Sequence, residues 1–197
     1  GNAFPDFMHD TARAVAWARD NAARLGGDPG RVFVMGHSAG AHMVALLATD
    51  GRYLASVGMA PRDLAGVVAL AGPYDFLPLT DPELWEVFGE QADWPLSQPV
   101  NFADGDEPPF LLLHGRKDRI VWALNSERLK ARKRGGAGFT QDTVGRPRVA
   151  LIGRAKPLSE VNLVAITGLD VSLDAFDRLA VGICAYVRLK GRLQLER

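Results

Sequence analysis

Gly36-His37-Ser38-Ala39-Gly40 lies between two apolar runs, and this placement constrains the fold more than any other feature of the chain. Ahead of it, Arg31-Val32-Phe33-Val34-Met35 is short and mostly apolar without alternation, which predicts a strand covered on both faces. Behind it, residues 39–49 have the length and composition of a buried helix. A strand that enters a helix through one serine must bend sharply. The positions two before and two after that serine must then lack bulky side chains, and both are glycine. Such a turn predicts Ser38 Oγ at the carboxyl edge of a sheet, as a nucleophile. The helix N-terminus behind it favours developing negative charge, with the Ala39 backbone N–H as an oxyanion donor. G-x-S-x-G by itself is a weak pattern; the strand before it and the helix after it give it meaning.

The rest of the chain supplies partners for such a strand. Residues 7–25 read as an amphipathic helix with Met8, Ala12, Val15, Ala18, Ala22 and Leu25 near one face, although Trp17 and Arg19 do not fit the division. Gly26-Gly27 ends it, and Asp28-Pro29-Gly30 is a turn. Further strands of the same apolar type are expected at residues 66–71 and 110–113. Strands alternating with helices predict a parallel sheet with helices on both faces. Residues 74–109 break the pattern with many prolines and aromatics, and they read as an irregular segment with one short helix at about 82–89. Long segments of this kind often form the wall of a site. A helix is expected from Ser126 to about Arg134, with a solvated basic end, and another from Ser172 to Arg188. Strands at residues 149–152 and 161–166 are weakly framed.

The 197 residues carry 23 Lys+Arg and 23 Asp+Glu, and 47% are hydrophobic, the composition of an ordinary globular domain. Zero net charge argues against a nucleic-acid binder. The single cysteine, Cys184, excludes an internal disulfide and fits a reducing, cytoplasmic setting. No apolar run is long enough to span a bilayer.

Several segments together resemble the α/β-hydrolase superfamily, in its small carboxylesterase, feruloyl-esterase and kynurenine-formamidase-like branch. They are Val34 to His42 around the elbow, Ala71-Gly72-Pro73-Tyr74-Asp75, and Pro108 to Asp118 with its Leu113-His114-Gly115-Arg116-Lys117-Asp118 ending. The resemblance covers roughly residues 5–135 of one domain, 1–197, whose part from 136 to 197 matches weakly. It implies an α/β-hydrolase fold, Ser38 as nucleophile, Asp118 as the acid of a Ser-Asp-His triad, and acyl-enzyme hydrolysis of a small-molecule ester. It places His37, Tyr74 and Asp75 at the substrate pocket and implies no metal or organic cofactor. Oligomeric state is not legible.

The same resemblance calls for a histidine some thirty residues beyond Asp118. The four histidines are His9, His37, His42 and His114, all before it. Arg146 follows Gly145 where a Gly-His would fall, and an arginine stays protonated at any working pH. His9 is expected on the surface, His42 in packing or capping, and His114 in loop geometry. The family's early strands and oxyanion loop also have no counterpart before residue 7, so the domain reads as N-terminally truncated, with a sheet edge left open. A catalytically impaired hydrolase-like protein or binding module is therefore the alternative expectation.

Overall fold

The computed structural model describes residues 3–132 together with the strands at 139–143, 162–165 and 184–186. Helix α1 (Asp6–Asn21) leads to β1 (Val32–His37), which turns into α2 (Ala39–Thr49) and the short α3 (Gly51–Ala55). Then come β2 (Gly66–Leu70), α4 (Pro82–Phe88), β3 (Phe110–His114) and α5 (Leu124–Arg132). Three strands complete the sheet: β4 (Phe139–Thr143), β5 (Asn162–Ala165) and β6 (Cys184–Tyr186). Their order is β4-β3-β2-β1-β5-β6. The first five run parallel and β6 pairs antiparallel with β5.

Helix α2 is apolar almost all round, and nine of its eleven residues are buried, as expected of a helix sealed inside a core. It packs on β1 and β2, and α1 packs on it in turn. Val34, Val67 and Phe110 lie side by side across β1, β2 and β3, and Gly36, Ala69 and Leu112 form the next row. All six are buried. On the opposite face Phe33, Met35, Val68 and Leu111 are half-buried. The unbroken apolar run in β1 predicts full cover on both faces. Burial instead alternates along the strand, because the main hydrophobic cluster lies on one face.

Several boundaries differ from the sequence reading. Helix α1 stops at Asn21 and residues 22–26 form tight turns, which leaves Leu25 half-buried off the end of the helical stripe. Trp17, the residue that breaks the stripe, is 55% exposed. The helix expected over 172–188 is contradicted at Cys184–Tyr186, which is strand. Pairing with β5 there outweighs a helical spacing of apolar residues, and Cys-Ala-Tyr carries no strong helix preference. The remainder of that expected helix, the strand expected at 149–152 and Arg146 lie outside the described residues. The open edge expected beside β1 is occupied by β5, in parallel register from Val32↔Asn162 to Met35↔Ala165. A central strand thereby finds partners for both rows of its backbone groups.

Candidate active site

The elbow is built by sterics. Ser38 stands at the N-cap of α2 with φ 53° and ψ −118°, a left-handed conformation that is strained for any residue with a Cβ. A Cβ added to Gly36 would strike the carbonyl of Gly40 and the nitrogen of Ala41, so only glycine lets α2 start this close to the strand it leaves. Serine is a favoured N-cap because its hydroxyl ordinarily accepts from the first turn. Here the hydroxyl makes no cap bond. Ala39, the first helical residue, is exposed, and its N–H is among the donors a helix start leaves without an internal partner.

The strand ends are stitched together at the carboxyl edge. The Ser38 N–H donates to the Leu70 carbonyl at 2.9 Å, and the Ala71 N–H donates to the Leu113 carbonyl at 2.8 Å. The turns after β1, β2 and β3 thus leave one edge side by side. The Ser38 and Asp118 turns are separated by one intervening strand, roughly 10 Å at ordinary strand spacing. An imidazole needs a gap of that order between a serine and a carboxylate.

Asp118 is held by its own turn. Its N–H donates to the Gly115 carbonyl at 3.1 Å, and Oδ1 accepts from the N–H groups of Ile120 at 2.9 Å and Val121 at 3.0 Å. His114 clamps the turn from below. It is buried, its Nε2 meets the Val121 carbonyl at 2.8 Å and its Nδ1 meets the Ser126 hydroxyl at 2.7 Å. A carbonyl only accepts, so Nε2 carries the proton and Nδ1 accepts from Ser126. Asp118 Oδ2 lies 3.7 Å from that same Nε2, beyond a good hydrogen bond.

The loop after β2 is tied to α5. Asn125 Oδ1 accepts from the backbone N–H groups of Tyr74 at 2.8 Å and Asp75 at 2.9 Å. Arg128 pairs with Asp75 at 2.9 Å, so this residue of the basic helix is engaged rather than merely solvated. The expected place of Tyr74 at the pocket surface is not what the structure gives. Tyr74 is fully buried, and its ring fills the space a Cβ on Gly72 would need. Burial raises its phenol pKa above the ordinary value. Asp75 and His37 remain partly exposed, and the Asp75 carboxylate is taken up by Arg128.

The irregular segment forms a wall. Its residues 97–100 are buried, and Gln98 Oε1 accepts from the Phe76 N–H at 2.9 Å. His42 anchors it to α2 by donating from Nε2 to the Ser97 carbonyl at 2.7 Å, in a cage of Phe7, Phe76 and Phe88. Burial pushes the His42 pKa down to about 4, so the ring is neutral at neutral pH. His9 is half-buried rather than on the open surface, with its ring edge-on to Tyr53.

Asn125, Arg128 and Gln98, which hold the loops around the expected site residues Ser38, Ala39 and Asp118, are not marked as such in the sequence. Their partners lie 51, 53 and 22 residues away in the chain, and no local pattern marks them. Among the described residues no helix is long and apolar enough to cross a membrane.

Known proteins resemble this one over the described core. A family model, BD-FAE, matches residues 1–132. Esterase LipQ of Mycobacterium tuberculosis is 33% identical over 153 residues, covering 70% of this chain and 36% of LipQ. A solved structure of a truncated form of a carbohydrate esterase from gut microbiota superposes with a TM-score of 0.63 at 26% identity, covering 72% of this chain and 60% of that one. The carboxylesterase Cest-2923 of Lactobacillus plantarum shares the fold, with a TM-score of 0.61 at 16% identity and coverage of 74% and 56%. This chain spans about a third of the length of the curated relatives it matches.

Proposed function

The chain belongs to the BD-FAE family and has the α/β-hydrolase fold, and on that premise we propose that it hydrolyses small carboxylic esters through Ser38. In this reading Ser38 Oγ attacks the ester carbonyl, and the Ala39 N–H donates to the oxyanion as the tetrahedral intermediate forms. Asp118 orients the base that takes the serine proton and returns it to the departing alcohol. Water then attacks the acyl-serine, releasing the acid and restoring the hydroxyl. His37 and Asp75 border the substrate, and Tyr74 supports the loop from within. No cofactor enters, and a cytoplasmic setting is part of the reading. Residues 1–197 act as one domain, supported by the membership of all six strands in a single sheet.

The observation that carries the proposal is the backbone of Ser38: a left-handed serine at a helix start whose hydroxyl declines the cap bond. A stability-driven N-cap would use that hydroxyl. Ester hydrolysis in the relatives' names supports the reaction class.

A specific observation also favours a second reading, an impaired hydrolase or binding module. His42 is locked to Ser97, His114 has both ring nitrogens engaged, and no histidine follows Asp118 in the sequence. Hydrolysis of a p-nitrophenyl short-chain ester separates the two. The proposal expects turnover that disappears in Ser38→Ala. Turnover found only in Arg146→His supports the impaired reading and locates the lost base. Absence of Ser38-dependent turnover in both contradicts the hydrolytic reading.

A further inference from the structure

The neutral chain contains two oppositely charged segments in succession. Residues 72–115 hold nine Asp and Glu and no Lys or Arg, whereas residues 116–134 hold eight Lys and Arg against two carboxylates. They meet at the Arg128–Asp75 ion pair, which uses one charge from each. Much of what remains is exposed.

On the acidic side, α4 buries Phe88 and turns its other residues outward. Glu83 and Glu86 lie one turn apart on α4 and Glu90 follows just beyond its end, beside the exposed apolar side chains of Leu84, Trp85 and Val87. Within the described residues none of these glutamates has an ion-pair partner. On the basic side, Arg116, Lys117 and Arg119 project from the turn that carries Asp118, and they too lack ion-pair partners within the described residues. Next to them Ile120 is 72% and Trp122 68% exposed, the two most exposed large apolar side chains described. Each surface therefore combines an apolar centre with a net excess of one sign of charge, three basic residues against Asp118 on the second, the pattern of a docking face rather than of an evenly mixed solvated one.

We propose that a second copy of this chain is the occupant, with α4 of one molecule against the 116–122 turn of the next. The charges are complementary, and both faces offer an apolar centre that contact would dehydrate. If the acidic face of each molecule meets the basic face of the other, the pair closes as a two-fold dimer, and if only one pair of faces engages, the contact repeats into a ring or an open chain. The proposal requires no catalytic activity and stands apart from the hydrolytic reading.

Sedimentation and light scattering of the full chain test it. At about 10 mM salt, where screening extends to about 30 Å, the mass should climb with protein concentration from 21.3 kDa to at least twice that value. At about 1 M salt, where screening falls to about 3 Å, the mass should return to the monomer. Arg116→Glu, Lys117→Glu and Arg119→Glu combined should give a monomer, and so should Glu83→Lys, Glu86→Lys and Glu90→Lys combined. Mixing these two variants should restore association, since one then presents two acidic faces and the other two basic ones. A misfolded variant would not be rescued in this way, and the salt response of the unmodified chain is independent of both. A wild-type mass fixed at 21.3 kDa at low salt overturns the proposal. So does association indifferent to salt and to both reversals, or a mixture that stays monomeric while the wild type associates.

Discussion

The turn after β1 and the turn after β3 leave the same edge of the sheet, one strand apart, and they are fixed by different physics. The Ser38 turn is held by backbone shape. Gly36 admits the close approach of α2, φ 53° sets the direction of the serine, and a buried apolar helix fills the space behind. The Asp118 turn is held by polar contacts: two backbone donors on Oδ1, and His114 beneath, bridging Val121 to Ser126. A turn fixed by sterics tolerates almost no added atom. One fixed by hydrogen bonds tolerates changes that keep the donor or acceptor and fails when a partner is orphaned.

The sharpest way to break the comparison is Gly36→Val. The added carbons meet the Gly40 backbone, which has no flexible side chain to yield, so a loss of about 3 kcal/mol or more is expected in denaturant unfolding. On the polar side, His114→Ala leaves the Val121 carbonyl and the Ser126 hydroxyl without their partner and opens a cavity. Here about 2–4 kcal/mol should be lost, with partial recovery in His114→Asn. Equal tolerance of the two sites would remove the distinction.

His42 sharpens it through pH. Its native pKa, about 4, lies below the ordinary 6.5, so the unfolded chain binds the proton more readily. Its stabilising contribution is complete above pH 6.5 and is lost as pH falls from 6.5 towards 4, about 3 kcal/mol in all. Thermal melts over that range should show the decline, and in His42→Leu the slope should flatten on a lower starting stability. The smallest effect belongs to Asn125. Asn125→Ala leaves the Tyr74 and Asp75 N–H groups without their acceptor, at a cost of about 1–2 kcal/mol by denaturant titration. Asn125→Asp retains an acceptor oxygen and should recover most of the loss.

The same contrast explains what the sequence made legible. The elbow announces itself because its requirements are local: two glycines, a strand before and a helix after, all within twenty residues. Strand β1 and helix α2 are legible for that reason, and β2 and β3 by their short apolar runs. The Asp118 turn is singled out only by family likeness, and its supports are only partly visible in the sequence. Asn125 reaches Tyr74 and Asp75 across fifty residues, and His114, expected in loop geometry, shows its two specific partners only in the structure. Tyr74, expected at the pocket, lies inside because Gly72 makes room for its ring, a contact that composition does not encode. At Cys184–Tyr186 a helical spacing yields to sheet pairing for an equally non-local reason.

The most direct measurement is covalent. A fluorophosphonate reacts with a serine only where its oxygen is exposed and nucleophilic, and mass spectrometry of the digested product locates the adduct. If the strained turn has shaped Ser38 as a nucleophile, the peptide carrying Ser38 should gain the phosphonyl mass at close to one adduct per chain. Ser38→Ala should gain none. An unmodified Ser38 peptide in the folded wild type, or equal labelling of the wild type and the alanine variant, would contradict the account.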